Sequence, residues 1–294
     1  MKLKEILKFI GLMVVLFALN ACATSKHIAL QPDTISKITS TDICIAVSQQ
    51  EIYGDIEQSG VATAMGGGLI PALIDVAIDN SRSKKAESHV EAIRNELVGY
   101  DFNGILKENI QSELNSVEWM KVRKIDIEGV VSSENFDKYL TASDASSVLF
   151  ITTKYFFSPD FKTLEIMSDA QLFPNNDELR KYAKSYSGDS NPTDNSNCSY
   201  RNSFVFRDHL DKDVKSKEEA VKLWAENNAS LTREALDKGS NETAKMISLD
   251  LMGNSSGHKE KITVGNITGV VILSNGERNI IRGKDGTMYS LKNP

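Results

Sequence analysis

The chain has 294 residues, a quarter of them charged, and a formal net charge of −6. That length suits one large domain or two small ones, and the ordinary apolar and charged fractions place it among globular proteins. The acidic balance argues against nucleic acid, or anionic lipid headgroups, as a general partner.

Lys2, Lys4 and Lys8 open the chain, an uncharged and mostly apolar run follows from Phe9 to Leu19, and Leu19-Asn20-Ala21-Cys22 closes the segment. A basic start, a short apolar core and small residues at a cut site describe a secretory signal peptide. The core is far shorter than the roughly 20 residues of a spanning helix. Its ending resembles the lipobox of bacterial lipoproteins. That resemblance implies cleavage before Cys22, diacylglycerol on its thiol and acylation of the new amine. Each buried methylene adds about 0.8 kcal/mol, so several acyl chains anchor for good. Residues 1–21 carry Lys2, Lys4, Lys8 and Glu5, so their removal takes the net charge from −6 to −8. In enterobacterial sorting an Asp after the cysteine retains a lipoprotein in the inner membrane. Ala23 stands there, which points to the outer membrane with the body in the periplasm.

Residues 22–41 read as a lipidated tether, with few apolar positions and one proline. Ile43 to Val47 is a short strand before the polar pair Gln49-Gln50. Cys44 lies in that strand and Cys198 in a later polar loop. An oxidising compartment permits a disulfide between them, while a strand cysteine is also commonly a buried thiol.

Gln58 to Ile74 carries no charge and holds Gly66, Gly67, Gly68 and Pro71. Consecutive glycines break a helix and offer no side chains to pack. They do allow close backbone approach to another surface, and an uncharged run lacks the usual guard against association. Val61, Ala64, Met65, Gly66, Gly67, Gly68 and Leu69 are therefore the candidate interaction surface. The alternative is a buried loop and helix that complete the core.

Val90, Ile93, Leu97, Phe102, Ile105, Leu106, Ile110 and Leu114 keep a helical period, with Gly99 as a break and Asp101 as a cap. Val122 to Ile127 predicts a second strand, and Ser133 to Leu140 a short helix. Val148 to Phe157 is rich in β-branched and aromatic residues; Ser158-Pro159-Asp160 turns it. Leu164, Ile166, Ala170 and Leu172 then alternate with polar residues, giving a hairpin with one wet face. Asn175 to Asn202 reads as loop, Ser203 to Phe206 as a third strand, and Ser216 to Leu251 as helical. Near the end, short apolar runs are separated by Asn275-Gly276 and Asp285-Gly286, which tolerate the positive φ of tight hairpin turns. They predict a small β-meander.

Chemical motifs are sparse. Gly253-Asn254-Ser255-Ser256-Gly257 matches G-x-S-x-G, but a nucleophile elbow needs a strand before the serine and a helix after it. Here a helix precedes and a strand follows. The four histidines are dispersed, and Asp208, His209, Asp211 and Asp213 have no second ligand group at metal spacing. Gly66-Gly67-Gly68 lacks the Lys-Ser/Thr of a phosphate loop. No cofactor, metal or catalytic residue is expected.

Strand, helix, strand and short helix lead into Asp144-Ala145-Ser146-Ser147-Val148-Leu149-Phe150-Ile151 and the long hairpin. This order resembles the periplasmic α/β domain of the curli-channel lipoprotein, the penicillin-binding-protein activator lipoproteins and the N-terminal region of the Tol translocation protein. The resemblance implies a non-enzymatic module that binds partners or assembles.

The expected fold is α/β (α+β), a mixed sheet with flanking helices and a C-terminal β-meander. The divisions are 1–21 signal peptide, 22–41 tether, 42–207 α/β domain, 208–256 helical segment and 257–294 meander. The expected function is a non-catalytic binding or assembly component of the envelope. Its partners are a membrane, through the lipid, and an envelope protein or a second copy. An oligomeric membrane-associated or secretion component is the alternative; an unrecognised periplasmic hydrolase is a further one.

Overall fold

The computed structural model describes residues 27–47, 49–54, 83–129, 133–181, 197–253 and 260–293. In chain order the elements are α1 (Pro32–Lys37), β1 (Thr41–Val47), β2 (Tyr53–Gly54), α2 (Ser83–Glu96), α3 (Phe102–Leu114), a 3-10 turn (Glu118–Met120) and β3 (Val122–Glu128). Next come α4 (Ser133–Ala142), β4 (Ser147–Phe157), β5 (Thr163–Pro174), α5 (Asp177–Arg180), β6 (Tyr200–His209) and α6 (Lys217–Leu251). The meander is β7 (Lys261–Val264), β8 (Ile267–Ser274), β9 (Arg278–Gly283) and β10 (Met288–Lys292).

All the strands join one sheet, ordered β3-β1-β4-β5-β6-β10-β9-β8-β7, with β2 on β4. β1 runs parallel to both β3 and β4, while β4, β5 and β6 form an antiparallel run. A mixed sheet with flanking helices is thus the fold, as the strand patterns predict. The meander is no separate layer. β10 lies parallel to β6, pairing Met288 with Phe204 and Ser290 with Phe206, and α6 makes the crossover a parallel pair requires.

Alternation along the strands sorts side chains onto two faces. On the inner face Ile43, Ile45, Leu149, Ile151, Leu164, Ile166, Phe204 and Phe206 pack into one large core with α2, α3 and α6. Helix α3 presents Phe102, Leu106, Ile110 and Leu114, one ridge of four-residue steps, to that core. Asp101 starts it, its carboxylate accepting the Gly104 amide at 2.9 Å. Helix α6 starts at Ser216, whose hydroxyl accepts the Glu219 amide at 3.2 Å while the Glu219 carboxylate accepts the Lys215 amide at 2.9 Å. Gly239 lets α6 come close to the sheet: a β-carbon there would stand 2.5 Å from Ile166 and 2.6 Å from Phe206. On the outer face α4 covers one patch, with Phe136 and Leu140 against Cys44, Val148 and Phe150.

One expectation changes. Residues 27–40 are docked on the body, whereas the composition suggests a tether through Thr41. Ile28 forms an antiparallel bridge with Arg201, and Thr34 and Ile38 are buried. Ile28 occupies the flank of β6 below the start of β10, so backbone pairing holds a segment with few apolar residues. Of the two arrangements open to the cysteines, the structure has the buried thiols: Cys44 and Cys198 share the outer-face cluster and form no disulfide. The stretch after Ser216 is helical as expected, two helical runs joined at a kink over residues 226–229.

Candidate functional site

The first turns of α6 and the middle of α2 line an open cleft of about 440 Å³. Ala92 of α2 and Val221 and Ala225 of α6 make its apolar walls, with His89 at one side. Glu218, Lys222 and Glu226 recur every four residues along its rim, so they share one helix face. That volume lies within the roughly 300–1,000 Å³ of ligand clefts. Beneath it Phe161 meets the His89 ring edge-on at 5.8 Å, and its carbonyl accepts the Trp224 indole N–H at 2.8 Å.

The cleft ends at an unusual backbone. Glu226 leaves the helix with ψ 147°, and Asn227, Asn228 and Ala229 have φ of 55°, 58° and 52°. The left-handed region costs an L-residue roughly 1–2 kcal/mol, least for Asn. The surroundings hold the turn. The Thr232 hydroxyl donates to the Trp224 carbonyl at 2.9 Å, and Arg233 Nε donates to the Asn228 carbonyl at 3.0 Å. Arg233 also donates to the Glu96 carbonyl and lies over the Tyr100 ring. Ala229 is fully buried. The turn lies at the end of the cleft, directly after Glu226 of its rim.

A buried polar network occupies the other end of α6. Asp250 accepts from the Tyr200 hydroxyl at 2.6 Å and the Asn202 amide at 2.8 Å on one oxygen, and from Arg282 at 2.6 Å on the other. Burial, then Asp250, push the Tyr200 phenol well above its ordinary pKa, so it remains a neutral donor. Nearby, Arg278 has a fully buried side chain. It donates to Ser290 Oγ at 3.0 Å, the Ser290 carbonyl at 2.8 Å and Asp208 at 3.3 Å, and lies over the Phe206 ring. Ser290 in turn donates to Glu242 of α6 at 2.7 Å. His27 stands beside Gly286, near enough to Asp250, Arg282 and Asp285 to feel their charges. Burial lowers its pKa, and Asp250 opposes the shift. Both oxygens of Asp250 are committed to donors. The network clamps α6, the meander and residues 27–28 to β6.

No protein family matches the sequence, and no curated protein does.

Of the residues singled out from sequence, Cys22 lies outside the described residues, as do Val61, Ala64, Met65, Gly66, Gly67, Gly68 and Leu69. Cys44 and Cys198 are described and lie far from the cleft, on the outer face. Gly253 ends α6 with φ 68°, and the rest of that glycine–serine motif is outside the described residues. Asp208 and Asp211 pair with Arg278 and Lys292, and the described residues contain no group of three or more potential metal ligands. Sequence reasoning missed the cleft and the network. Asn227-Asn228 inside a helical pattern was a usable signal, because Asn is enriched in the left-handed region.

Proposed function

We propose that the chain is a lipid-anchored envelope protein whose α/β body holds a partner protein at the cleft between α2 and α6. The observation that carries this reading is the cleft itself: apolar walls, a charged rim and, at its end, a left-handed turn that the surrounding hydrogen bonds maintain. Backbone held in a sparsely populated region concentrates at binding and switching sites. The uncharged Gln58–Ile74 stretch joins the described body between Gly54 and α2, whose His89 and Ala92 line the cleft. The lipobox-like Cys22 and the following Ala23 support anchoring on the periplasmic side of the outer membrane. The element order, similar to that of periplasmic binding and assembly modules, supports a non-catalytic role.

The test is photocrosslinking in intact envelopes, with benzoylphenylalanine in place of Ala92 or Ala225 and, as a control, of Lys138 on α4. The expected result is one adduct of defined mass from both cleft positions and none from Lys138. An identical pattern from all three sites, or no adduct from the cleft, overturns the reading. An adduct of twice the chain mass identifies the partner as a second copy.

A further inference from the structure

The sheet ends in two edge strands, β3 and β7. β7 has four residues and one charge, Lys261. β3 has seven, Val122-Arg123-Lys124-Ile125-Asp126-Ile127-Glu128, and among the described residues it pairs with β1 alone. Every position of β1 is buried, whereas each residue of β3 is exposed or only partly buried. Backbone groups of a strand point alternately to its two sides, so the outer side of β3 presents N–H and C=O groups to which another strand can bond.

Lys124 and Asp126 lie two residues apart and share the outer face. They form an ion pair at 3.1 Å. The Tyr139 hydroxyl of α4 donates to Asp126 at 2.7 Å, and Lys124 Nζ lies 4.9 Å over the Tyr139 ring. Ile125 points the other way, where it and Ile127 are only partly buried at the margin of the main core.

Charges on an edge strand commonly keep other strands away. Here the order of the signs does the reverse for one partner. When a copy of β3 lies antiparallel with Ile125 opposite Ile125, Lys124 of each copy faces Asp126 of the other. Opposite charges directly across an antiparallel pair stabilise it, and like charges destabilise it. A shift of two residues one way sets Lys124 against Lys124, and the other way Asp126 against Asp126. The pattern therefore selects one register. In it the two ion pairs merge into a ring of four alternating charges, with each Asp126 already held by Tyr139, and the two Ile125 side chains carry the core across the joint.

We infer that β3 is a joint between two copies of this chain, paired edge to edge about a two-fold axis at Ile125 so that two sheets become one. A two-fold contact requires a self-complementary patch, and the Lys124-Ile125-Asp126 run is one. This surface is distinct from the cleft and does not depend on its occupant. The joint is short, so the contact is weak in dilute solution and is best read by trapping it.

The full chain with Cys44 and Cys198 replaced by Ala is given Ile125→Cys, or Val98→Cys on the exposed turn after α2, and oxidised beside the parent without a new cysteine. Residues opposite each other in an antiparallel pair stand about 4.5–5.5 Å apart at their α-carbons, within reach of a disulfide. The expected result is a linked dimer from Ile125→Cys, severalfold above the Val98→Cys and parent chains. Adding Lys124→Asp, or Asp126→Lys, sets like charges across the joint and should cut the yield severalfold. Mixing those two variants under different tags restores every opposite pair, so linked heterodimer should reappear. The chain carrying both changes should link with itself again, which separates charge pairing from a failure of either single variant to fold. A yield at 125 no higher than at 98, or one indifferent to the charge reversals, overturns the inference. So does the absence of recovery in both the mixture and the double variant.

Discussion

The Tyr200 hydroxyl and the Asp250 carboxylate meet at 2.6 Å across the joint between β6 and α6, both side chains buried. Asn202 and Arg282 complete the coordination of Asp250, so one carboxylate binds the central sheet and the meander to the end of the longest helix. Replacing Asp250 by Ala leaves the Arg282 guanidinium and the phenol without their acceptor in a dry site. Such a change destabilises by about 3–5 kcal/mol. Tyr200→Phe removes one hydrogen bond and leaves the others, a loss of about 1–2 kcal/mol. Urea unfolding of the two variants should rank them in that order.

Gly239 is the second point of vulnerability. Its missing side chain admits Ile166 and the Phe206 ring against α6. Alanine improves intrinsic helix propensity by about 1 kcal/mol, but the added methyl group overlaps both neighbours, and overpacking costs about 1–3 kcal/mol. Gly239→Ala should therefore lower Tm in a thermal melt, and Gly239→Leu should lower it much further. An increase in Tm for the alanine variant would mean that α6 can move away from the sheet at little cost.

Stability should fall on mild acidification through His27. Its folded pKa lies below the ordinary 6.5, chiefly through burial. The unfolded chain then binds more protons than the folded one between that lowered value and 6.5. The stabilising difference is fully present above pH 6.5 and is lost as pH falls through that window. Asp250, Arg282 and Asp285 are the charged groups around the ring. His27→Gln should flatten the decline in Tm between pH 7.5 and 5. A slope equal to the wild type's would assign the decline to other groups.

Burial raises the Cys44 thiol to about 12, so almost no thiolate exists at neutral pH. Cys44 and Cys198 should both resist a soluble maleimide in the folded protein and react fully in denaturant. With no bond between them to break, a thermal melt in reductant should match one without. A lower Tm in reductant would reveal a disulfide in the oxidised protein.

Local structure was largely readable in the sequence. The alternating strands, the Asp101 cap and the Asn275-Gly276 and Asp285-Gly286 turns follow from side-chain period and backbone preference; in both turns only the glycine takes a positive φ. The burial of Ile151 and Ile166 follows in the same way. What stayed hidden depends on distant partners. The pairing of Ile28 with Arg201 leaves no mark in either segment. Glu242 and Asp250 are carboxylates within a helical pattern, where such groups normally face water. Only the hydroxyls and guanidinium groups brought in from β6, β9 and β10 make their burial sustainable. The turn beside the cleft was half legible: Asn227-Asn228 favour the left-handed region, while Ala229 carries no local signal for it.

The parallel seating of β10 beside β6 bears on the order in which the protein can be made. Almost eighty residues separate the two strands, Phe204 from Met288 being the first matched pair. Until the last strand has emerged, β6 keeps an open edge and Arg278 lacks the Ser290 groups that share its charge. The edge of β6 is therefore completed only after the C-terminal strand has been synthesised. A chain cut short before residue 288 would carry a long unpaired edge, the kind of surface on which chains aggregate. Seating β10 closes that edge.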